Sequence, residues 1–383
     1  MDGDYEARVA NELHTFADTD AETYALPPIV STWSVRSVLP LIREAGYGGI
    51  DEMWQALIAE QCRRCAPRHA RLVSLGAGAA ETELGIAKAL AGEGIENLDL
   101  VLLELSGEQV QRAAALAAEL GLGNRVVAAE ADLNVWTADG PADVYFANQS
   151  LHHIVELEHL FAEVRRSLAP DGVFLVNDMI GRNGHVRWPE AADLVHRIWN
   201  SMPERHRWNR FVEQTDTVYP DPDYSAFGFE GVRSQDVLPL LLGAFHPEVF
   251  LAFGNVIDPF IDRAYGWSRD PDTEEDRDFI DAVARLDDAA VDLGLVSPTH
   301  LLAAFRTRPV EVRCPRMRPP ERMVRCPDPD EDGPAQDAEA LRASAHEAWA
   351  RYHALRSRKA VRAALRITEL GRAAAGAARR RLR

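Results

Sequence analysis

Val73-Ser74-Leu75-Gly76-Ala77-Gly78 is the stretch that decides the fold of this 383-residue chain. A short apolar run ends here in two glycines, a pattern typical of a buried strand turning into a helix. Glycines let the backbone pass close to a ligand, and the following helix offers free N–H groups. The dinucleotide-binding pattern has a third glycine three residues later, where this chain has Glu81. A carboxylate there repels a pyrophosphate, so the turn favours a cationic nucleoside over NAD.

Downstream of this turn, short apolar runs alternate with stretches of helical periodicity. This alternation predicts an α/β fold with a doubly wound, mostly parallel sheet. Phe279, Val283, Leu286, Ala290 and Leu293 predict one face of a later helix, with Thr273 and Asp276 as its capping box. The apolar runs are 71–75, 98–103, 125–129, 143–147 and 172–176, with two later ones at 248–253 and 300–305.

Composition places the chain among ordinary globular proteins, with 46% hydrophobic and 27% charged residues. An acidic N-terminus without an apolar segment and only four cysteines predict a cytoplasmic location. The net charge of −18 argues against a surface that binds nucleic acid. Residues 351–383 carry eleven Lys or Arg and one acid, so this basic segment opposes an acidic remainder.

Two carboxylates follow the strands next to the glycine turn. Glu104 ends the second run, 26 residues beyond Gly78, where a carboxylate can accept both ribose hydroxyls of an adenosine. Asp132 follows the third run and can accept from the adenine amino group. This spacing predicts one nucleoside laid across adjacent strand ends.

Changes in composition predict four regions. A helical N-terminal cap occupies 1–66, and the α/β domain occupies 67–307 with an acceptor-binding insertion at 179–247. A linker rich in Pro, Arg and Asp follows at 308–336, and a basic helical tail occupies 337–383. The tail predicts weak contact with an anionic membrane surface, peripheral to the inner face, or with an acidic partner.

The order of these motifs resembles the class I S-adenosylmethionine-dependent methyltransferases, from about Arg71 to Arg306, with a bacterial small-molecule subgroup as the nearest likeness. Asn148-Gln149-Ser150-Leu151-His152-His153 resembles the stretch after their fourth strand, and Leu168-Ala169-Pro170-Asp171-Gly172 the turn before their fifth. The resemblance implies S-adenosylmethionine as cofactor and a Rossmann-like, seven-stranded sheet whose last strand is antiparallel. The cofactor-binding residues that follow from the motifs are Ser74, Gly76, Gly78, Glu81, Glu104, Asp132, Leu133 and Asn148.

Two positions depart from the family pattern. Ser74 replaces the acid usual two residues before the first glycine, and Ala80 replaces the third glycine of the methyltransferase motif. The Asn-Pro-Pro-Tyr motif is also missing after the fourth strand, which argues against methylation of exocyclic base amines or amide nitrogens.

Methyl transfer to a hydroxyl needs alignment and a base, and two histidines stand at the expected place. His153, and next to it His152, are the candidate catalytic bases, although such histidines often only shape a pocket. The candidate acceptor-binding residues in the segment after the fifth strand are Asn177, Asp178, Arg182, His185, Trp188 and Tyr224.

The cysteines offer a weaker alternative. Cys62 and Cys65, with Cys314 and Cys326, suggest a four-thiolate zinc site, but the second pair is spaced too widely and the first falls in a predicted helix. We therefore predict no metal.

The sequence as a whole predicts a methyltransferase acting on a small-molecule acceptor, such as a hydroxyl of a sugar or secondary metabolite. Carbon or nitrogen methylation in natural-product biosynthesis is the alternative within the class. A non-catalytic nucleoside-binding scaffold and an NAD-dependent oxidoreductase are the alternatives outside it.

Overall fold

A seven-stranded sheet organises the computed structural model of the chain, in the order β3-β2-β1-β4-β5-β9-β8. The structure describes Tyr5, Glu6, Arg8, Val9, residues 25–226 and residues 228–325. The main strands are β1 (Ala70–Leu75), β2 (Leu98–Glu104), β3 (Val126–Glu130), β4 (Ala142–Asn148), β5 (Leu168–Met179), β8 (His246–Phe253) and β9 (His300–Arg306). A small hairpin adds β6 (Trp208–Asn209) and β7 (Gln214–Thr215).

Strand direction confirms the fold predicted from the sequence. β1 to β5 pair in parallel, and β9 is antiparallel to both β5 and β8. Six strands therefore run one way, and β9, the last in the chain, runs the other way.

Helices connect the strands. The helices are α1 (Pro28–Trp33), α2 (Leu39–Glu44), α3 (Ile50–Cys65), α4 (Glu81–Gly92), α5 (Gly107–Glu119), α6 (Leu157–Ser167), α7 (Pro189–Ser201), α8 (Ser234–Ala244), α9 (Asp258–Ile261), α10 (Glu274–Asp292) and α11 (Pro320–Met323). A π-helical turn, Ser34–Val38, joins α1 to α2.

Aromatic side chains show how both faces of the sheet are covered. Trp54 of α3 meets the ring of Phe146 edge-on, with centroids 5.0 Å apart. Tyr145, the next residue back, points to the opposite face, where it meets Phe174 of β5. Phe161 of α6 packs against Phe174 on that same side. Burial on both faces explains why β4 and β5 read as continuous apolar runs.

The buried face of α10 differs from the prediction. Of the predicted residues, Val283 and Ala290 are buried, whereas Leu293 is 40% exposed. Ile280 and Ala284 are buried as well. The reason is polar: Asp287 lies on the buried face and accepts hydrogen bonds from the backbone N–H groups of Asn255 and Val256. A pattern based on apolar residues alone does not recognise such a carboxylate as a core position.

The predicted capping box of α10 is wrong, because its hydrogen bonds are not formed. Thr273 is the N-cap residue, but its side chain accepts no bond from the first turn of the helix. Its hydroxyl instead donates to the carbonyl of Asp270 and to the carboxylate of Asp276, 3.0 Å away in each case. Asp276 in turn accepts from the N–H of Asp270, so the preceding turn takes the groups that a capping box would use.

The described part of the predicted linker packs on the domain. Arg313 exchanges backbone hydrogen bonds with β8 at Glu248 and Phe250. Arg318 is buried and binds the carboxylates of Asp288 and Asp292 on α10. Arginine side chains of this segment therefore form ion pairs with the domain and do not only contact solvent.

Several predictions fall partly or wholly outside the described residues: the basic tail at 337–383, the second half of the linker, most of the first 24 residues, and Cys326. No helix within the described ranges is long and apolar enough to cross a membrane. In the same ranges, Cys62, Cys65 and Cys314 are free thiols and do not join a cluster of metal-ligating groups.

Candidate active site

A cavity of about 280 Å³ opens at the carboxyl ends of β1 to β4. Ligands bind at this edge in open α/β sheets. The loops that follow the four strands supply its walls, so residues far apart in sequence meet in one place. Its lining is Gly76, Ala77, Gly78, Glu104, Leu105, Ser106, Gln109, Ala131, Asp132, Leu133, Asn134, Asn148, Gln149, Ser150, His153, Ile154 and Phe229.

The glycine turn forms one wall because its backbone takes conformations that other residues avoid. Gly76 and Gly78 have φ values of 72° and 54°. A Cβ atom on Gly76 would lie 2.7 Å from the Cβ of Ser150, so the turn passes directly against the loop after β4. The hydroxyl of Ser150 donates to the carbonyl of Leu75 and ties the two loops together.

Glu104 faces the cavity with both carboxylate oxygens oriented by the backbone. One oxygen accepts from the N–H of Gly78 and the other from the N–H of Ser106, both at 2.9 Å. Each carboxylate oxygen can accept a further hydrogen bond. The Glu104 carboxylate is therefore held in a fixed position and can accept one hydrogen bond from each hydroxyl of a vicinal diol.

Asp132 is fixed in a similar way on the next strand end, with an additional partner from the N-terminus. One oxygen accepts from the backbone and side-chain amides of Asn134, and the other accepts from the hydroxyl of Tyr5 at 2.6 Å. The Tyr5 ring lies 5.5 Å from that of Phe229, which also lines the cavity. The N-terminal segment thus adjoins the adenine end of the predicted nucleoside site.

Ser74 does not line the cavity but lies buried beneath the turn. Its hydroxyl donates to the carboxylate of Glu83 on α4 at 2.5 Å. Burial raises the pKa of Glu83, against the effect of this bond. The acid that the family has on β1 is therefore matched here by a carboxylate from the helix.

The other predicted cofactor-binding residues divide into two groups. Leu133 and Asn148 line the cavity together with Gly76, Gly78, Glu104 and Asp132. Glu81, at the first position of α4, is exposed and lies outside the cavity lining.

Three histidines surround one carboxylate beside the cavity. His153 lines the cavity, and its Nε2 atom lies 3.6 Å from the carboxylate of Glu230. The Nε2 atoms of His152 and His185 lie 3.4 and 2.7 Å from the other oxygen of Glu230. Asp178 holds the far side of His152, 2.6 Å from its Nδ1 atom. We refer to His152, His153, His185 and Glu230 as the histidine cluster.

The histidine cluster is strongly coupled electrostatically. Burial alone would lower the pKa of His152, but the charges of Asp178 and Glu230 outweigh it and raise that pKa to about 10. Burial lowers the pKa of His185, against its bond with Glu230. Burial would also raise the pKa values of Asp178 and Glu230, but their histidine partners lower both.

Asp178 supports this cluster and does not face an acceptor. It is fully buried and accepts from the backbone N–H groups of Ser150 and Leu151 at 2.9 and 2.7 Å. Asn177 likewise bonds inward, donating from its side chain to that of Asn148 at 2.7 Å.

The remaining candidates of the acceptor wall are spread over a wider surface. The guanidinium of Arg182 lies 5.1 Å from the ring centre of Trp188, and that of Arg325 lies 3.9 Å from it. Tyr224 is 49% exposed, with its ring 6.5 Å from that of His185. Of the predicted wall residues, His185 is therefore the one that the histidine cluster includes.

Comparison with known families agrees with this architecture. Residues 68–217 match a family described as a methyltransferase domain. This match covers the glycine turn, Glu104 and Asp132, and the first two histidines of the cluster. The chain therefore contains a methyltransferase domain within residues 68–217. No curated protein matches it.

Several solved structures are similar to the chain at low identity. The StiE O-MT structure is 14% identical over 67% of this chain and 75% of that chain, with a TM-score of 0.37. The [4+2]-cyclase SpnF is 17% identical over 68% and 82%, with a TM-score of 0.38. The geranyl diphosphate C-methyltransferase of Streptomyces coelicolor A3(2) is 15% identical over 66% and 81%, with a TM-score of 0.37.

Several residues of the methyltransferase site were not found from the sequence. Glu230 lies in a loop 45 residues beyond its partner His185, and no periodic pattern marks it. Gln149 lines the cavity and has a positive φ of 57°. A single sequence does not reveal such a backbone conformation at a residue other than glycine. Tyr5 and Phe229 meet only through the fold.

Proposed function

We propose that this methyltransferase transfers the methyl group of S-adenosylmethionine to a hydroxyl of a small-molecule acceptor. The observation that carries the proposal is the position of His153, which lines the cofactor cavity while its Nε2 atom faces the Glu230 carboxylate at 3.6 Å. A hydroxyl acceptor must lose its proton during transfer, and an imidazole backed by a carboxylate suits that task.

The cofactor is proposed to lie along the four strand ends. Glu104 accepts from the ribose hydroxyls, since its two oxygens are already oriented by Gly78 and Ser106. Asp132 accepts from the adenine amino group, beside the aromatic pair of Tyr5 and Phe229. The methionine end then lies against the glycine turn, toward Asn148.

S-Adenosylmethionine supplies an electrophilic methyl group on a positively charged sulfur. As the acceptor oxygen bonds to that carbon, the S–CH₃ bond breaks and its electron pair returns to sulfur, which leaves S-adenosylhomocysteine. The hydroxyl proton passes to His153, and Glu230 stabilises the charge that the imidazole gains. Alignment and exclusion of water are the protein's other contributions.

The test is an acceptor panel in which matched compounds offer a hydroxyl, an amine or an activated carbon. The full-length enzyme is incubated with S-adenosylmethionine, and products are identified by mass spectrometry. We expect O-methylated products, and for His153→Ala a fall in kcat of about 10²–10⁴-fold with unchanged cofactor affinity.

His246→Ala is the control, because this histidine is exposed on β8. Exclusive N- or C-methylation, or a His153→Ala enzyme as fast as the wild type, would overturn the proposal.

A further inference from the structure

Two imidazoles and a carboxylate of the histidine cluster converge on one point. One ligand atom from each of His152, His185 and Glu230 lies within 4.8 Å of the others. His152 comes from the turn after β4, His185 from the turn after β5, and Glu230 from the loop before α8. Three separate segments of the chain thus aim their ligand atoms at a common centre.

The contacts of His152 leave room at this centre for either a proton or a metal ion. Asp178 is an acceptor, so the Nδ1 atom of His152, 2.6 Å away, carries the hydrogen of that bond. If Nε2 carries no hydrogen, it presents a lone pair toward the Glu230 oxygen at 3.4 Å. Two lone pairs face each other favourably only when a proton or a metal ion lies between them.

The surroundings of His152 match those of a metal ligand. A histidine that binds a metal through Nε2 usually donates its other N–H to a carboxylate, which fixes the ring and raises its basicity. Asp178 has this role here, and the backbone N–H groups of Ser150 and Leu151 hold it in turn. The buried His152 ring is therefore held in one orientation, with its Nε2 atom directed at the proposed metal position.

Charge and access also suit a divalent ion. Asp178 and Glu230 bring two negative charges, and imidazoles that bind a metal are neutral, so a dication balances the group. The Glu230 side chain is 42% exposed, which gives an ion a path from solvent. Two histidines with one carboxylate are a ligand set that binds divalent transition metals and leaves further coordination positions open.

We propose that His152, His185 and Glu230 bind a divalent transition-metal ion beside the cofactor cavity. The coordination positions that the protein leaves open on that ion lie toward His153 and bind an oxygen atom of the acceptor. The acceptor is then restricted to compounds with an oxygen that can bind a metal. This second statement rests on the proposed hydroxyl transfer, whereas the metal site itself does not.

The test measures metal binding without any acceptor. Metal-stripped full-length protein is titrated with Zn²⁺ by calorimetry and with Co²⁺ by visible absorption. We expect one saturable site, with His185→Ala and Glu230→Gln each weakening it by more than the roughly 10–100-fold that loss of an outer partner costs. His246→Ala, on β8, should bind as the wild type does.

Circular dichroism and S-adenosylhomocysteine binding show whether the variants are folded. Absence of saturable binding by the wild type, or equal affinity in folded His185→Ala and Glu230→Gln proteins, would overturn the metal site and leave a proton as the occupant. Failure of the hydroxyl panel together with normal metal binding would overturn the proposed acceptor alone.

Discussion

At the scale of single residues, Ser74 shows how a departure from a family pattern is compensated locally. The acid usual on the first strand is absent, but Glu83 of α4 places its carboxylate 2.5 Å from the Ser74 hydroxyl. Both side chains are buried, with 1% and 5% exposure. The two positions exchange roles, so their substitutions should be coupled.

Ser74→Ala should lower the free energy of unfolding by about 1–3 kcal/mol, because it removes a hydrogen bond to a buried carboxylate. Ser74→Asp, which restores the family residue, should be worse because two carboxylates then meet in the interior. Adding Glu83→Gln to Ser74→Asp should recover stability, since the amide donates to the new acid. Denaturant unfolding measures all four proteins, and a Ser74→Asp protein as stable as the wild type would contradict the exchange.

At the scale of elements, the glycine turn between β1 and α4 combines strain with close approach. Gly76→Ala should cost at least about 1–2 kcal/mol, because φ is 72° and the new Cβ would meet Ser150 at 2.7 Å. It should also weaken binding of S-adenosylhomocysteine.

The matched control for this turn lies in the next helix. Gly85 is inside α4, and a Cβ there meets no atom within 4 Å. Gly85→Ala should therefore stabilise the protein by about 0.5–1 kcal/mol. Equal unfolding temperatures for Gly76→Ala and Gly85→Ala would contradict a constrained backbone at the glycine turn.

The same scale shows what the sequence reveals and what it hides. The central strands were predictable because they are apolar runs buried on both faces, as Phe146 and Tyr145 illustrate on β4. The face of α10 was predictable only in part, because Asp287 is a core residue held by backbone N–H groups. Glu104 and Asp132 were predicted by their place at strand ends. Glu230 comes from an irregular loop, and only the tertiary structure brings it to His185.

At the scale of the whole molecule, stability should depend on pH through a carboxyl group far from the cofactor cavity. Burial raises the pKa of Asp262 from 3.8 to about 7, although one of its oxygens accepts from the N–H groups of Ala264 and Tyr265. The folded state therefore holds a proton that the unfolded state has already lost between these pH values. This contribution to the free energy of unfolding is complete below about pH 4 and falls as pH rises toward 7, by at most about 1.4 kcal/mol per pH unit.

Asp262→Asn should flatten this part of the pH dependence, because an amide oxygen keeps both backbone bonds without a charge. We expect the variant to be more stable than the wild type at pH 8 and similar to it near pH 4, as measured by denaturant unfolding. Asp272→Asn, at an exposed position, is the control. Parallel pH profiles for the wild type and Asp262→Asn would contradict the assignment.

The central claim is that the cavity at the strand ends binds S-adenosylmethionine through Glu104, and calorimetric titration with S-adenosylhomocysteine tests it most directly. The account predicts one saturable site for S-adenosylhomocysteine and no binding of NAD. Glu104→Ala should weaken binding by about 1.5–3 kcal/mol, the usual strength of hydrogen bonds to a charged group. Glu93→Ala, at the exposed end of α4, should leave it unchanged. Preference for NAD, or equal affinity in the Glu104→Ala protein, would contradict the account.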